Sequence, residues 1–310
     1  MLFDSLLFLL ACAGLGIGGF LTVRSLTKIT YYYGMREFVI GFIIMAIATS
    51  IPELFIGISS VFSGIPSLSF GDIIGSNIAD LSLVLGIVVL VGKELKVGKK
   101  IKRDIIYASI ISFLPILLFL DQKISNLDGV ILLFVFSVYI VHLFLERKEH
   151  TKYFYMKKDT IKKETFIFLF GLIILLASAR FITQFASLLI SELSLPPVFI
   201  GLLIVSIGTS LPELSFETQS LIKGHSELAL GDLLGSLVIN STLVLGLVSL
   251  LSPIKAEFPS FSIGAVFFFL ILIFFSYVLF KKQKVSKKHA KILLILYVIY
   301  ILVSILSKTV

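Results

Sequence analysis

The sequence predicts an all-α membrane protein whose ten transmembrane helices form two inverted five-helix repeats. Three observations predict this fold class: the composition, the spacing of the apolar runs and an internal repeat. Of the 310 residues, 57% are hydrophobic and 15% are charged, whereas a soluble domain has about 45–50% apolar and about 25% charged residues. A soluble globule and a disordered chain are therefore excluded. The single cysteine, Cys12, also excludes a disulfide scaffold.

Ten apolar runs alternate with polar or charged breaks along the chain. A helix needs about 20 apolar residues to cross a bilayer, and the runs are close to this length. The first run lacks the charged start of a cleavable signal peptide and is too long for one, so we expect it to be retained as a span. The predicted spans are 3–23, 37–62, 68–91, 104–120, 127–145, 165–190, 197–222, 228–251, 260–280 and 290–307.

The positive charges predict the orientation of these spans. The odd-numbered connections hold 23 of the 27 Lys and Arg residues. The even-numbered connections and the C-terminus hold only Lys123, Lys255 and Lys308, and Arg180 falls inside a span. The positive-inside rule then places the basic connections in the cytoplasm and both termini outside the cell membrane. Anionic lipid head groups are the expected partners of these charges, and nucleic acid is not.

The second half of the chain repeats the first at a constant offset of 160 residues. Residues 37–86 and 197–246 are identical at 20 of 50 positions without a gap. The repeat predicts two halves, 1–146 and 165–310, joined by a basic cytoplasmic linker, 147–164. Each half has five spans, so the second copy enters the membrane from the opposite side. Inverted repeats of this kind are typical of secondary transporters, with the binding site near the midplane.

Each copy carries a glutamate in the middle of a span, directly after a proline. These residues are Glu53 after Pro52 and Glu213 after Pro212. A charged side chain at this depth costs about 2.5–3.5 kcal/mol on insertion scales, so it indicates a functional site. Each proline removes a backbone donor and breaks the helix, which frees carbonyl groups near residues 46–49 and 206–209.

Other polar residues lie on the same helix faces as the two glutamates. In the following span of each repeat, two further polar residues lie four positions apart, on one face of the helix. The candidate cation-binding residues are Ala46, Thr49, Ser50, Glu53, Ser76 and Asp80 in the first copy, and Ser206, Thr209, Ser210, Glu213, Ser236 and Asn240 in the second. This all-oxygen set suits a hard cation such as Ca²⁺, which takes 6–8 oxygen ligands, and it also suits Na⁺. We expect Asp72 and Asp232 to cap the N-termini of the helices in these following spans.

These motifs resemble the calcium/cation antiporter superfamily, most closely its prokaryotic sodium/calcium exchanger branch. The sequences Ala-Thr-Ser-Ile-Pro-Glu and Gly-Thr-Ser-Leu-Pro-Glu look like the α-repeats of that family. The resemblance implies a Ca²⁺ site formed by Glu53, Glu213 and the carbonyl groups of Thr49 and Thr209. It also implies flanking Na⁺ sites formed by Ala46, Ser50, Ser76, Asp80, Ser206, Ser210, Ser236 and Asn240. Spans 1 and 6 would slide across the other eight to alternate access.

The chain departs from the family pattern at several positions. Archaeal members carry Asn in the first copy and Asp in the second, whereas here Asp80 comes first and Asn240 second. The total charge is unchanged, so we expect the function to survive this exchange. Glu217 stands one turn beyond Glu213, where a small residue is expected, and it could pair with Arg180 inside span 6. Glu192 is the other candidate partner of Arg180.

The sequence therefore predicts an antiporter that exchanges Ca²⁺ for Na⁺, with a proton-coupled antiporter of Ca²⁺ or another divalent cation as the alternative. Potassium involvement stays open. A cation channel could use the same oxygens, but channel pores usually form between subunits. An intramembrane aspartyl protease is disfavoured because Gly71-Asp72 and Gly231-Asp232 lack the leading glycine of that motif. We expect no enzyme activity, no cofactor apart from the transported ions and no obligate protein partner.

Overall fold

The computed structural model describes residues 2–32, 45–92, 94–96, 102–146, 158–193, 196–256 and 258–307, and these are almost entirely helical. The first half contains α1 (Leu2–Tyr32), α2 (Ala46–Thr49), α3 (Ile51–Phe62), α4 (Pro66–Ala79), α5 (Leu85–Val91), α6 (Lys102–Leu118) and α7 (Asn126–Glu146). The second half contains α8 (Lys158–Leu193), α9 (Pro197–Ile200), α10 (Ser206–Thr209), α11 (Leu211–Ile222), α12 (Ser226–Ile239), α13 (Leu245–Leu251), α14 (Phe258–Lys282) and α15 (Lys287–Leu306). Residues 147–157 of the predicted linker lie outside the described ranges.

Short π-helical and extended segments connect these helices. The π-helical turns are Asp80–Val84, Gly201–Val205 and Asn240–Val244, and a 3-10 turn covers Phe119–Asp121. The strands are β1 (Leu95–Lys96), β2 (Lys123–Ile124), β3 (Ile254–Lys255) and β4 (Lys284–Val285). The first and third π turns continue α4 and α12 directly, so each of these helices forms one long span with α5 or α13.

Eight helical segments of the described chain are long and apolar enough to cross a membrane, and they match the third to tenth predicted spans. The first two predicted spans correspond to shorter apolar stretches, 13–26 within α1 and 51–62 in α3. Residues 37–44 of the second predicted span are outside the described ranges. The fold is therefore that of a multi-pass, all-helical membrane protein.

Two strand pairs fix the relative orientation of the two halves. Strand β1 pairs antiparallel with β4, and β2 pairs antiparallel with β3. Helix α6 runs from β1 to β2, so the two pairs lie at opposite ends of the helical bundle. The equivalent helices α5 and α13, which precede β1 and β3, therefore end on opposite sides. This is the arrangement expected for two repeats of opposite orientation.

An ion pair reinforces the β1–β4 contact. The ammonium group of Lys284 donates a hydrogen bond of 2.8 Å to Oε2 of Glu94. Because this hydrogen bond favours the ionised carboxylate, the pKa of Glu94 lies below its usual value. The connections at this end of the bundle, one from each half, are thus joined by both backbone and side-chain contacts.

The two repeats meet at the centre of the bundle. Most residues of the spans 66–91 and 226–251 are buried, whereas few residues of the span 126–143 are. Gly71 of α4 lies so close to α9 that an added Cβ would stand 2.0 Å from the carbonyl oxygen of Val198. Close approach of this kind needs a residue without a side chain. The two central spans therefore hold the polar residues of both repeats within the interior.

Candidate cation-binding site

The structure interrupts two equivalent helices at the positions that the prolines predict. Ser50 separates α2 from α3, and Ser210 separates α10 from α11. Their backbone angles are nearly identical, with φ −79° and ψ 1° at Ser50 and φ −79° and ψ 3° at Ser210. Pro52 and Pro212 occupy the first turn of the following helix, where a missing N–H is tolerated. Each glutamate therefore lies in the first turn of a helix, three residues after a break.

The two glutamates lie in the dry interior of the protein. Glu53 and Glu213 have no solvent exposure, and all four of their carboxylate oxygens lack a hydrogen-bond partner. The two side chains are close enough to interact electrostatically with each other and with Asp80. No lysine or arginine whose side chain the structure describes is buried. The negative charge at this site therefore requires a bound cation or proton to offset its desolvation.

Asp80 and Asn240 stand at equivalent points, where α4 and α12 change into π-helical turns. Both residues are fully buried, and their side-chain oxygens and nitrogen make no hydrogen bond in the structure. The Ser210 hydroxyl lies near the Asp80 carboxylate. A π turn widens the helix locally and often occurs at functional sites. Sequence reasoning found both residues from their spacing but not the π turns.

Two threonines connect the repeats through equivalent hydrogen bonds. The Thr209 hydroxyl lies 3.0 Å from Oδ1 of Asp72, and the Thr49 hydroxyl lies 3.3 Å from Oδ1 of Asp232. The same hydroxyls contact Ser76 at 2.9 Å and Ser236 at 3.1 Å, respectively. The predicted capping role of Asp72 and Asp232 is wrong, since each is the seventh residue of its helix. These aspartates instead accept hydrogen bonds from the opposite repeat.

The remaining candidate residues differ in what they offer a cation. The hydroxyl groups of Ser50 and Ser210 are buried without a hydrogen-bond partner. The Ser206 hydroxyl donates a hydrogen bond of 2.8 Å to the Leu202 carbonyl, so it is engaged by its own helix. Ala46 offers only its backbone carbonyl, which accepts a hydrogen bond of 3.1 Å from the backbone N–H of Ser50.

The candidate site brings together oxygen atoms from several kinds of chemical group. Within the described part of the chain, no three His, Cys, Asp or Glu side chains converge as a ready metal cluster. A cation between Glu53 and Glu213 would therefore need hydroxyl and carbonyl oxygens to complete its coordination. Hard cations such as Ca²⁺ accept this mixture of ligands.

Glu217 is a further buried carboxylate beside this site. It is 1% exposed, its Oε1 has no hydrogen-bond partner, and it interacts electrostatically with Asp232 and Asp80. The pairing with Arg180 that the sequence left open is not formed, because Arg180 is exposed on the surface of α8. The side chain of Glu192 is outside the described set. The equivalent residue in the first repeat, Gly57, packs tightly on Val248, so the two repeats differ at this point.

Sequence reasoning missed one polar connection between the repeats. The side-chain amide of Asn77 donates a hydrogen bond of 2.8 Å to the Ser241 hydroxyl. Ser241 in turn donates to the carbonyl oxygen of Ser112 in α6, at 3.3 Å. Asn77 precedes Asp80 by three residues within a buried span, which is the only signal that the sequence offers for this contact.

The fold and this site define a class of protein: a multi-pass, two-repeat membrane protein with an interior lined by carboxylates and hydroxyls. The model of the family described as sodium/calcium exchanger protein matches residues 4–145 and 163–306. The chain therefore belongs to the sodium/calcium exchanger family.

Individual relatives extend over nearly the whole chain. The sodium/calcium exchanger MaX1 of Methanosarcina acetivorans is 26% identical over 344 residues, covering 96% of this chain and 97% of the relative. The inner membrane protein YrbG of Escherichia coli is 24% identical over 307 residues, covering 92% and 94%. A structure of the sodium-calcium exchanger NCX_Mj, soaked with 10 mM Na⁺ and 10 mM Sr²⁺, matches with a TM-score of 0.71 and 25% identity, covering 96% and 97%.

Proposed function

We propose that this chain is a secondary antiporter that exchanges Ca²⁺ for Na⁺ across the cell membrane by alternating access. The observation that carries the proposal is the pair of buried, unpartnered glutamates contributed by equivalent positions of the two repeats. The relative MaX1 and the solved structures of NCX_Mj, both named as sodium/calcium exchangers, support the same activity. We propose that the protein catalyses no reaction and needs neither a cofactor nor an obligate protein partner.

In this proposal, Ca²⁺ binds between Glu53 and Glu213 and takes further oxygens from the carbonyl groups of Thr49 and Thr209. Na⁺ ions use the flanking oxygens. These belong to Ala46, Ser50, Ser76 and Asp80 in the first repeat, and to Ser206, Ser210, Ser236 and Asn240 in the second. The Ser206 hydroxyl donates its hydrogen to the Leu202 carbonyl, which leaves the lone pairs of the hydroxyl oxygen available to a cation.

Charge provides the coupling between the two ions. Glu53, Glu213 and Asp80 together carry up to three negative charges, which three Na⁺ ions would neutralise and one Ca²⁺ would reduce to one. An empty and strongly charged site is costly in a low-dielectric interior, so it resists crossing the barrier between the two access states. Each ion drives the alternation through its different affinities for the two states.

The proposed topology has ten spans, with both termini outside and the basic connections in the cytoplasm. It rests on the distribution of Lys and Arg together with the opposite orientation of the two repeats. Epitope tags at both termini test it in intact cells. Labelling of both tags by an impermeant antibody supports the topology, and labelling of either tag only after permeabilisation contradicts it.

Transport itself is tested with purified protein in proteoliposomes. Vesicles loaded with Na⁺ and diluted into Na⁺-free medium should accumulate radioactive Ca²⁺, and vesicles loaded with choline should not. Glu53→Gln and Glu213→Gln should abolish the uptake, whereas Glu227→Gln, at an exposed carboxylate, should retain it. Uptake that ignores Na⁺ and follows a pH gradient would contradict the proposal in favour of proton coupling.

A further inference from the structure

A basic cavity lies near the C-terminal end of α1, and Pro212, the residue before Glu213 of the candidate cation site, forms part of its lining. Its volume is about 570 Å³, which is within the range of about 300–1,000 Å³ that is usual for ligand sites. One wall comes from α1 and the other from α11, α12 and the turn between them. The lining residues that matter here are Phe20, Arg24 and Lys28 on one side and Phe216, Lys223 and His225 on the other.

The charged side chains that line this cavity are all positive. Three of the lining residues are Lys or Arg, and none is acidic. Lys28 is bound to the buried Glu164 at 2.5 Å, which neutralises it and ties α1 to α8. Arg24 and Lys223 contribute the remaining positive charge, and the Arg24 guanidinium lies 6.0 Å above the ring of Phe20. The cavity therefore attracts an anion whose charge is complementary to these two groups.

A helix N-terminus adds to this preference. Helix α12 begins at Ser226 and is 14 residues long, and His225 and Leu228 from its start line the cavity. The first backbone N–H groups of a helix and its dipole favour a negative group, and phosphate is commonly bound in this way. Glu227 is in the same turn, but it is exposed and does not line the cavity.

The remaining lining combines polar and apolar groups. Ser215, Gln219 and Ser220 offer donors, while Phe20, Val23, Pro212, Phe216 and Leu228 form an apolar surface. This mixture suits a phosphate group attached to an apolar or partly apolar body. We propose that the basic cavity binds a phosphate-bearing anion, held by Arg24, Lys223 and the N-terminus of α12. The head group of an anionic lipid and a free phosphate compound share this chemistry, and the experiment below separates them.

Because of where the cavity lies, we expect a bound anion to affect transport. This expectation rests on the proposed function. Gly19 of α1 packs directly on Pro212, the residue before Glu213. An anion held between α1 and α11–α12 therefore stabilises the present arrangement of these helices. If α1 must move relative to α11 during transport, the anion favours one access state and slows turnover.

Binding is measured without transport, from the thermal unfolding of the full-length protein in detergent. The probes are short-chain phosphatidylglycerol, short-chain phosphatidylcholine, glycerol 3-phosphate and inorganic phosphate. We expect phosphatidylglycerol to raise the unfolding temperature. The Arg24→Gln/Lys223→Gln variant should need about 30-fold more lipid for the same shift, since each basic group near an anionic lipid contributes about 1 kcal/mol. Lys287→Gln/Lys288→Gln removes the same charge from exposed positions outside the cavity and should behave as the wild type.

Each outcome either supports the proposal and identifies the ligand, or overturns the proposal. A shift with phosphatidylglycerol alone, lost in the cavity variant, assigns the cavity to lipid. An equal shift with glycerol 3-phosphate or inorganic phosphate assigns it to a soluble phosphate compound. Equal shifts in the wild type and the cavity variant, no shift with any phosphate, or an equal shift with phosphatidylcholine overturn the proposal. Since none of these measurements needs Ca²⁺ or Na⁺, they stand whether or not the chain proves to be an exchanger.

Discussion

Thr209 and Asp72 join the two repeats through a hydrogen bond of 3.0 Å between the threonine hydroxyl and the aspartate Oδ1. The equivalent pair, Thr49 and Asp232, repeats this contact at 3.3 Å. Each threonine ends the short helix before a break, so the bond holds the interrupted helix against the central span of the other repeat. The breaks beside both glutamates are thus positioned by a matched pair of contacts across the repeat interface.

Removing the Thr209 hydroxyl should destabilise the protein. Thr209→Val keeps the shape of the side chain but leaves the buried Asp72 Oδ1 without this donor, which costs about 1–3 kcal/mol. Thr209→Ser keeps the hydroxyl and serves as the control. We expect a lower unfolding temperature and weaker Na⁺-driven Ca²⁺ uptake for the valine variant only. Equal behaviour of the two variants would show that the hydrogen bond does not hold the break.

Gly19 should tolerate no side chain, because an added Cβ would lie 2.2 Å from Cγ of Pro212. Forcing a methyl group into a packed contact costs about 1–3 kcal/mol, or it displaces α1. Gly19→Ala should therefore reduce Ca²⁺ uptake at least severalfold at equal protein abundance. Ala13→Leu enlarges an exposed residue of the same helix and should have little effect. Normal uptake by Gly19→Ala would mean that α1 and α11 do not need this close approach.

Exchanging Asp80 and Asn240 should preserve transport, since the two residues occupy equivalent places in the two repeats. Asp80→Asn removes one of the three negative charges near the proposed ions, and we expect the apparent Na⁺ affinity to fall by about tenfold or more. The double variant Asp80→Asn/Asn240→Asp restores the charge and should recover most of the uptake. A double variant as defective as Asp80→Asn would show that the two positions are not equivalent.

Glu217 should strengthen cation binding through its buried charge. Its Oε1 lacks a partner and it interacts with Asp80 and Asp232, so it adds negative potential near the site. Glu217→Gln keeps the shape and removes this charge. We expect cation affinity to fall by about tenfold, corresponding to about 1.4 kcal/mol, and the ion-free protein to unfold at a higher temperature. Binding calorimetry and thermal unfolding measure both effects, and unchanged values in each would refute this role.

Much of this site follows from the sequence because polar residues are costly inside a membrane. The repeated Pro-Glu pairs predict that each helix breaks or kinks just before its proline, and the structure places the two breaks at Ser50 and Ser210. The burial of Glu53 and Glu213 follows from the same cost, since a carboxylate in an apolar span must avoid lipid. The family assignment, made from the two motifs, is confirmed by the match over both halves.

Other features depend on contacts that a linear pattern does not contain. The bonds of Asp72 and Asp232 cross between repeats, so a cap within the same helix was the wrong interpretation. Helix α1 continues past its apolar run to Tyr32, and in this extension Arg24 contacts Phe20 and Lys28 contacts Glu164. The π turns at Asp80 and Asn240 were likewise not predicted from the sequence.

The central claim is that Glu53 and Glu213 share one Ca²⁺. Calorimetric titration of Ca²⁺ into the wild type, Glu53→Gln, Glu213→Gln and the double variant tests it directly. If the two carboxylates hold a single ion, either substitution should remove the high-affinity Ca²⁺ binding, and the double variant should bind Ca²⁺ no more weakly than the single variants. If each single variant kept half of the bound Ca²⁺, the glutamates would belong to separate sites and the account would be contradicted.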